Sequence, residues 1–557
     1  MPKNLRLPQH NTTNPFGATL ALAVGLVLLG GALNACAGPA AQRPAGRTVR
    51  FDLAADPRTL DPLLAAPDAA SVEQQLARLA FEPFIDLDER GRPRPELLAV
   101  IPSRSNGGLS ADGRTIRYRL RRGVLWSDGR AVTSADALFT LRAILNPRNA
   151  VRSHEGYDLI DRAQTPGPYE FVVHLKRAWA PAVLTYFSYG FSPQFVLPAH
   201  VLSAQGPLDT ASFNAAPDVG DGPYRFVSWK RGEGLRYDAN PRYWRGRPQP
   251  DALVIRSVPD PSTNLLLLQT GELDWNLVAP AQIRIARRSP EIRFRNVPTA
   301  VVAGLALNTS HVPLDDVRVR RALAMSIDRA TISQKITLGL YPVTDMIQPH
   351  FSWAYDSSIH EPSYDPVAAD KLLDAAGWRR DAGGLRHRGT AALRLVYVQF
   401  PESVTGVRVA ATVQAELRQR GIDVAIKAVS NEQLFLPGTG VLATGNFDLA
   451  YVPWTMGADP DDSSVLDCGA ASNYMRWCDA RVERLERAAL STNDKAARKR
   501  LYGEIGKIVA DRVPIVFLFN AHYVYAYRSR LKGFAPNPFL PTWNAYQWRM
   551  RGAGADR

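Results

Sequence analysis

The chain has 557 residues, of which 46% are hydrophobic and 22% charged, a balance that excludes a disordered or fibrous protein and suits a soluble globular one. The formal net charge is +14, yet the arginines are scattered singly or in pairs. That pattern argues against a nucleic-acid surface and for a solvated face that meets anionic headgroups or cell-wall polymers.

The chain opens with Lys3 and Arg6, followed by an uncharged apolar run over residues 17–33. A positive start, an apolar core and small residues at its end read as a secretory signal. The run is shorter than the roughly 20 apolar residues of a comfortable membrane span. It ends in Leu33-Asn34-Ala35-Cys36, which resembles a bacterial lipobox, with Asn34 as a departure from the usual small or β-branched residue. Cys36 is then the lipidated first residue of the mature protein; the alternatives are an ordinary signal peptide and an anchor helix. Lys3 and Arg6 leave with the signal, so +12 remains. Residues 37–47, AGPAAQRPAGR, are too rich in Ala, Pro and Gly to pack and read as a tether. Roughly 520 residues follow Cys36, too many for one core and enough for two or three domains.

Export implies an oxidising compartment. With Cys36 given to lipid, Cys468 and Cys478 remain as an even pair. They close a short loop as a disulfide or stand as two buried thiols. No neighbouring His or Cys completes a tetrahedral metal set.

Along the chain, FDLA (51–54) is a candidate first strand, and TIRYRL (115–120) places Ile116, Tyr118 and Leu120 on one face. In LWSDG (125–129), Trp126 and Asp128 fix a turn. Thr133 and Asp136 form a capping-box arrangement for a helix through VTSADALFTLRAIL. YEFVVHL (169–175) is a strand. In GDGPY, Gly220 and Gly222 suit a tight turn, and Pro223 fixes the start of a strand carrying Tyr224 and Phe226. Tyr243 and Trp244 cover a core edge. Asp260, Pro261 and Gly271 punctuate one helix, and Asp365, Pro366 and Gly377 another, with Ala369, Leu372 and Leu373 apolar inside it. LDDVRVRRALAMSIDRATI reads as a single amphipathic helix with Val317, Leu323, Ala324 and Ile327 near one face. LRLVYVQF (393–400) and PIVFLFNAHYVYAY (514–527) are β-rich. Helices and strands alternate without a clean βαβ rhythm, which points to mixed α/β lobes and not to one doubly wound sheet.

No Gly-x-Ser-x-Gly, His-Glu-x-x-His, Walker or Gly-x-Gly-x-x-Gly motif is present, and the nine histidines are dispersed. No catalytic, metal or cofactor constellation stands out, so the chain reads as built to bind.

Five segments, in order and with their spacing, carry a resemblance. They are DPRTLDPLLA with FEPFIDLDERGRPRPELLA, LSADGRTIRYRLRRGVLWSDGRAVTSADALFTL, GDGPYRFVSWKRGEGLRYDANPRYWRGRPQPDALVIRSV with TGELDW, LALNTSHVPLDDVRVRRALAMSIDR, and YDPVAADKLLDAAGW. Together they resemble the extracellular solute-binding proteins, family 5, of peptide, dipeptide and nickel ABC importers, over about residues 48–548. The resemblance implies an α/β, two-lobed periplasmic-binding-protein-like fold with two hinge crossings and an extra domain inserted in the first lobe. It assigns 1–36 to the signal peptide and 37–47 to the tether. Lobe I takes 48–78, 214–302 and the return 513–548, the extra domain 79–213 and lobe II 303–512. The crossings fall near VVAGLALN (301–308) and VPIVFLFN (513–520). Ligand is buried between lobes that close on it.

In the family's peptide binders a tryptophan opens a short segment, and an aspartate three residues later grips the ligand's amino group. Trp454 matches the tryptophan, but the aspartate slot falls on Met456 or Gly457, since the loop before Pro460 is one residue short. The nearest acids are Asp459, Asp461 and Asp462. Asp459 either reaches in from a shifted loop or caps a helix begun by Pro460. The family's dipeptide binders carry a Cys-loop-Tyr-x-x-Cys arrangement similar to CGAASNYMRWC, which implies a Cys468–Cys478 disulfide beside Tyr474. Asn308, Phe517, Phe519 and Asn520 are the remaining wall candidates.

The expected function is therefore that of a monomeric, lipid-anchored receptor, facing the periplasm or cell exterior. It captures a peptide or other small solute for ABC permease subunits, without cofactor, metal or nucleic acid. The competing readings are an exported hydrolase of cell-wall peptides and a non-transport sensor or chaperone.

Overall fold

Val49, Phe51 and Leu53 are buried along the strand Thr48–Leu53, while the residues between them are half exposed. This period of two lays one face of the strand on a core. The computed structural model in which it lies describes residues 47–65, 71–189 and 194–551. The expected export signal, the expected lipobox cysteine Cys36 and the expected tether up to residue 46 lie outside them.

Ten strands form one continuous sheet. From one edge to the other they are Asp423–Ala428, Arg394–Gln399, Leu449–Thr455, Ile292–Leu307, Ile515–Arg528, Trp275–Val278, Thr48–Leu53, Ala252–Ser257, Gly234–Ala239 and Tyr224–Lys230. The two long central strands are antiparallel and pass from one lobe into the other. Ile292 to Pro298 pair with Arg528 back to His522 beside Trp275–Val278, in the first lobe. Val302 to Ala306 pair with Asn520 back to Ile515 beside Leu449–Thr455, in the second. Between Pro298 and Val302 the register breaks. The sequence of the first crossing changes character at the same place. IRFRNVP alternates charge and bulk, as a half-exposed strand does, whereas VVAGLAL is an unbroken apolar run buried on both faces.

The inserted segment builds a three-stranded sheet from Thr115–Arg119, Glu170–Leu175 and Ile160–Gly167, with the helix Ser134–Leu145 beside it. Its apolar residues and those of the first lobe form one cluster, running from Val49 and Phe51 through Tyr118 and Phe171 to Trp548. The second lobe packs two clusters against its share of the sheet, one around Leu305, Leu323 and Val409, the other around Val302, Trp454 and Phe517.

Most local signals have their physical counterpart. Asp260 and Asp365 cap helices that begin at Pro261 and Pro366, and Gly377 follows the second with φ +87°. Two readings need correction. The segment after Leu314 is not one helix: Val317–Ser326 ends at Ile327, and Asp328, whose side chain accepts from the Thr331 N–H, caps a second helix Arg329–Thr337. Asp inside a helix competes for backbone N–H groups, and here it wins. Gly220 and Gly222 are also not glycines for turn geometry. They lie against the end of the helix Val72–Ala80, where a Cβ at Gly220 would sit 2.2 Å from the Ala80 carbonyl oxygen.

Candidate functional site

Trp454 is the penultimate residue of the strand Leu449–Thr455 and lies opposite Val302, just past the break in the long pair. Its indole is buried. Nε1 donates to the Ser472 carbonyl at 3.3 Å, and the ring stacks on Tyr474 at 6.5 Å. Ser472 and Tyr474 belong to the loop closed by the Cys468–Cys478 disulfide, whose Cα atoms are 4.7 Å apart. The loop therefore holds the tryptophan from behind.

After Thr455 the chain leaves the ladder in a segment pinned on every side. The Met456 N–H donates to the Ala300 carbonyl at 2.9 Å, and the Ala458 N–H to the Tyr189 carbonyl of the inserted domain at 3.2 Å. Gln348 Nε2 donates to the Pro460 carbonyl at 2.9 Å and to Asp462 Oδ2 at 3.0 Å. Asp461 Oδ1 accepts from the Ser463 N–H and O–H at 3.1 and 2.6 Å. The short helix that follows starts at Ser463, and the residue at its N-cap is Asp462.

Asp459 thus caps nothing. It is buried and faces Arg498, whose Nη1 lies 2.7 Å from Oδ2 while Nη2 meets Oδ1. Arg498 also donates to the Tyr502 hydroxyl at 3.1 Å and lies over the Trp353 ring at 5.4 Å. Burial opposes the charge on Arg498, but the carboxylate and the phenol outweigh it and hold the guanidinium above its ordinary range.

In front of this segment lies a cavity of about 240 Å³. Glu155, Pro181 and Thr185 of the inserted domain form one side, and Thr455 to Gly457 with Asp459, Asp461 and Ser464 the other. Burial first, then the neighbouring carboxylates Asp459 and Glu155, push the half-buried Asp461 carboxyl up to about 7.

Of the candidate wall residues, only Asp459 lines this cavity; Trp454 stands one layer behind it, through Ser472. Asn308, Phe517, Phe519 and Asn520 take framework positions instead. Asn308 is fully buried, its Nδ2 donating to the Gly445 and Phe447 carbonyls at 2.9 and 3.0 Å. Asn520 Nδ2 donates to the Thr299 and Val301 carbonyls at 2.9 and 2.8 Å, and its Oδ1 accepts from the His350 N–H. It thereby supplies the bonds that the register break removes. Phe517 and Phe519 are core residues on opposite faces of the return strand. A carboxamide at a strand crossing satisfies backbone as readily as ligand, and sequence does not separate the two.

Sequence reasoning missed Arg498 and Glu155. Arg498 had a signal: with Tyr502, Ile505 and Val509 it falls on the buried stripe of the helix Lys495–Arg512, where an arginine requires a partner. Glu155, in the loop RSHEGYDL, had none.

The profile described as "Bacterial extracellular solute-binding proteins, family 5 Middle" matches residues 103–475. Di/tripeptide-binding protein 2 of Pseudomonas aeruginosa is 29% identical over 473 residues, covering 80% of this chain and 85% of that one. The oligopeptide-binding protein AppA of Bacillus subtilis, solved with a nonapeptide, superposes with a TM-score of 0.74 at 21% identity, over 91% of this chain and 99% of AppA. NikZ of Campylobacter jejuni, solved with Ni(L-His), gives 0.75 at 23% identity, over 90% and 99%.

Proposed function

The chain belongs to the bacterial extracellular solute-binding proteins of family 5, and from that premise we propose that it captures a peptide or peptide-like solute in the cavity between its lobes and delivers it to the permease of an ABC importer. The observation that carries this reading is the cavity itself. Its walls come from the inserted segment on one side and the second lobe on the other, and the long strand pair that links the lobes has register breaks at Pro298/Val302 and Ala303/Gly304, where it can bend as the cavity opens and closes. The names of the relatives, which bind di- and tripeptides or oligopeptides, favour peptide over metal chelate. On this reading residues 79–213 are the extra domain, 303–512 the second lobe, and Cys36 carries the lipid that keeps the receptor at the membrane. Among the described residues no helix is long and apolar enough to cross a membrane.

Native mass spectrometry of the purified protein, before and after incubation with a peptide mixture, tests the proposal. A receptor retains one intact peptide per chain. Peptide that is consumed would point to the hydrolase alternative, and no retained mass at any peptide concentration would overturn the reading.

A further inference from the structure

The second lobe meets the rest of the molecule at two apolar contacts that the cavity does not reach. Phe351 makes the first. Its ring lies 5.6 Å from that of Phe539, on the return of the chain to the first lobe. It also fills the space beside Gly91, in the turn between the strands Ile85–Leu87 and Pro93–Pro95, where a Cβ would come within 2.6 Å of the ring. The segment that presents Phe351 is fixed to the second lobe and to the hinge: Gln348 donates to the Pro460 carbonyl and to Asp462, and the His350 N–H donates to Asn520. Leu490 makes the second contact, near the end of the helix Ala480–Ser491. Its carbonyl accepts from the Ala180 N–H of the inserted segment at 2.7 Å. Its side chain is buried in the apolar cluster of the first lobe, together with Trp179 and Tyr186. Among the described residues it is the one residue of the second lobe buried in that cluster, and Phe351 and Ala458 pack against the same cluster. Neither Phe351 nor Leu490 lines the cavity; Leu490 stands at its outer mouth beside Trp179.

Apolar surface that is covered only while the lobes touch favours the closed arrangement, whatever lies between them. Affinity then depends on how often that arrangement occurs, since only the closed fraction binds. Resting on the reading that the cavity between the lobes is the ligand site, we propose that Phe351 and Leu490 are positioning residues that latch the second lobe shut from outside the cavity and set the affinity for every ligand by one common factor. A latch that lifts the closed fraction from about one tenth to about one half strengthens every affinity about fivefold and leaves the order of ligands unchanged. Residues that touch the ligand change that order instead.

The test uses the full mature protein and a tripeptide library of mixed side chains. Native mass spectrometry over a concentration series gives the half-occupancy concentration of each retained member. Phe351→Ala and Leu490→Ala should each raise it about fivefold for all members alike, and Phe351→Leu, which keeps an apolar contact, should recover most of the loss. Should one alanine variant fold poorly, the other carries the test. Without peptide, solution scattering should give the alanine variants a larger radius of gyration than the unaltered protein, and equal radii would overturn the inference. Half-occupancy concentrations that stay unchanged, or that shift for some members and not for others, would overturn it too and leave the peptide reading standing. Retention of no member by the unaltered protein would overturn the peptide reading, and the scattering comparison then decides the latch by itself.

Discussion

Arg498 grips both carboxylate oxygens of Asp459 from inside the second lobe, so the acid nearest the family's amine-binding slot is held as an internal counter-ion. Breaking one half of a buried pair leaves the other half uncompensated. Arg498→Met should cost about 3–5 kcal/mol of unfolding free energy. Adding Asp459→Asn to it should restore part of that loss. Urea denaturation of the two single variants and the double variant measures the coupling.

The loop behind Trp454 is closed by the Cys468–Cys478 disulfide. Replacing both cysteines by serine frees the loop in the unfolded chain and should lower stability by about 3 kcal/mol. Thiol labelling of the denatured, unreduced protein should find neither cysteine free.

Asn520 replaces the strand bonds lost between Pro298 and Val302. Asn520→Ala leaves the Thr299 and Val301 carbonyls and the His350 N–H without this partner, a loss of roughly 1–3 kcal/mol for each of these groups that stays away from water. Asn520→Asp should be worse, because it sets carboxylate oxygens against carbonyl oxygens. Solution scattering on the alanine variant should also show a weaker compaction on ligand binding than in the unaltered protein.

The ligand-free protein should show the Asp461 titration in its stability. The folded state holds this proton up to about pH 7, whereas an unfolded aspartate loses it near 3.8. Between those values the folded state binds more protons, so the stability owed to this group falls as pH rises. Asn cannot ionise. The stability of Asp461→Asn relative to the unaltered protein should therefore rise from pH 4 to about pH 7 and then level off. Thermal melts across that range, without ligand, measure the difference.

Cys36→Ser should move the protein from the membrane fraction to the soluble one. An unchanged membrane pool would favour an uncleaved anchor helix over the lipid.

How much of this was legible depends on the range of the interaction. Caps are local, so Asp260, Asp365 and the Thr133–Asp136 box read directly from three or four residues. The crossing strands were legible as apolar runs, because a central strand needs no alternation. Their break was not, since Pro298 to Val302 differ from their neighbours only in what they face. The Asp459–Arg498 pair spans 39 positions, and no local rule connects its members. The part played by Glu155 depends on the docking of one domain against another, which leaves no mark in its own neighbourhood.

The return strand Ile515–Arg528 lies between Trp275–Val278 and Ile292–Leu307, both of which precede it by more than half the length of the second lobe. Until that strand is made, the middle of the sheet has a gap that nothing earlier in the chain fills. Trp275 waits for Tyr527, and Ile292 waits for Arg528. Such distant pairing is slow to form, because the loop must close before its contacts can reward it. For a chain threaded across a membrane from its amino end, this order of assembly is useful. On the export reading, the same topology holds back closure of the central sheet until almost the whole polypeptide is available.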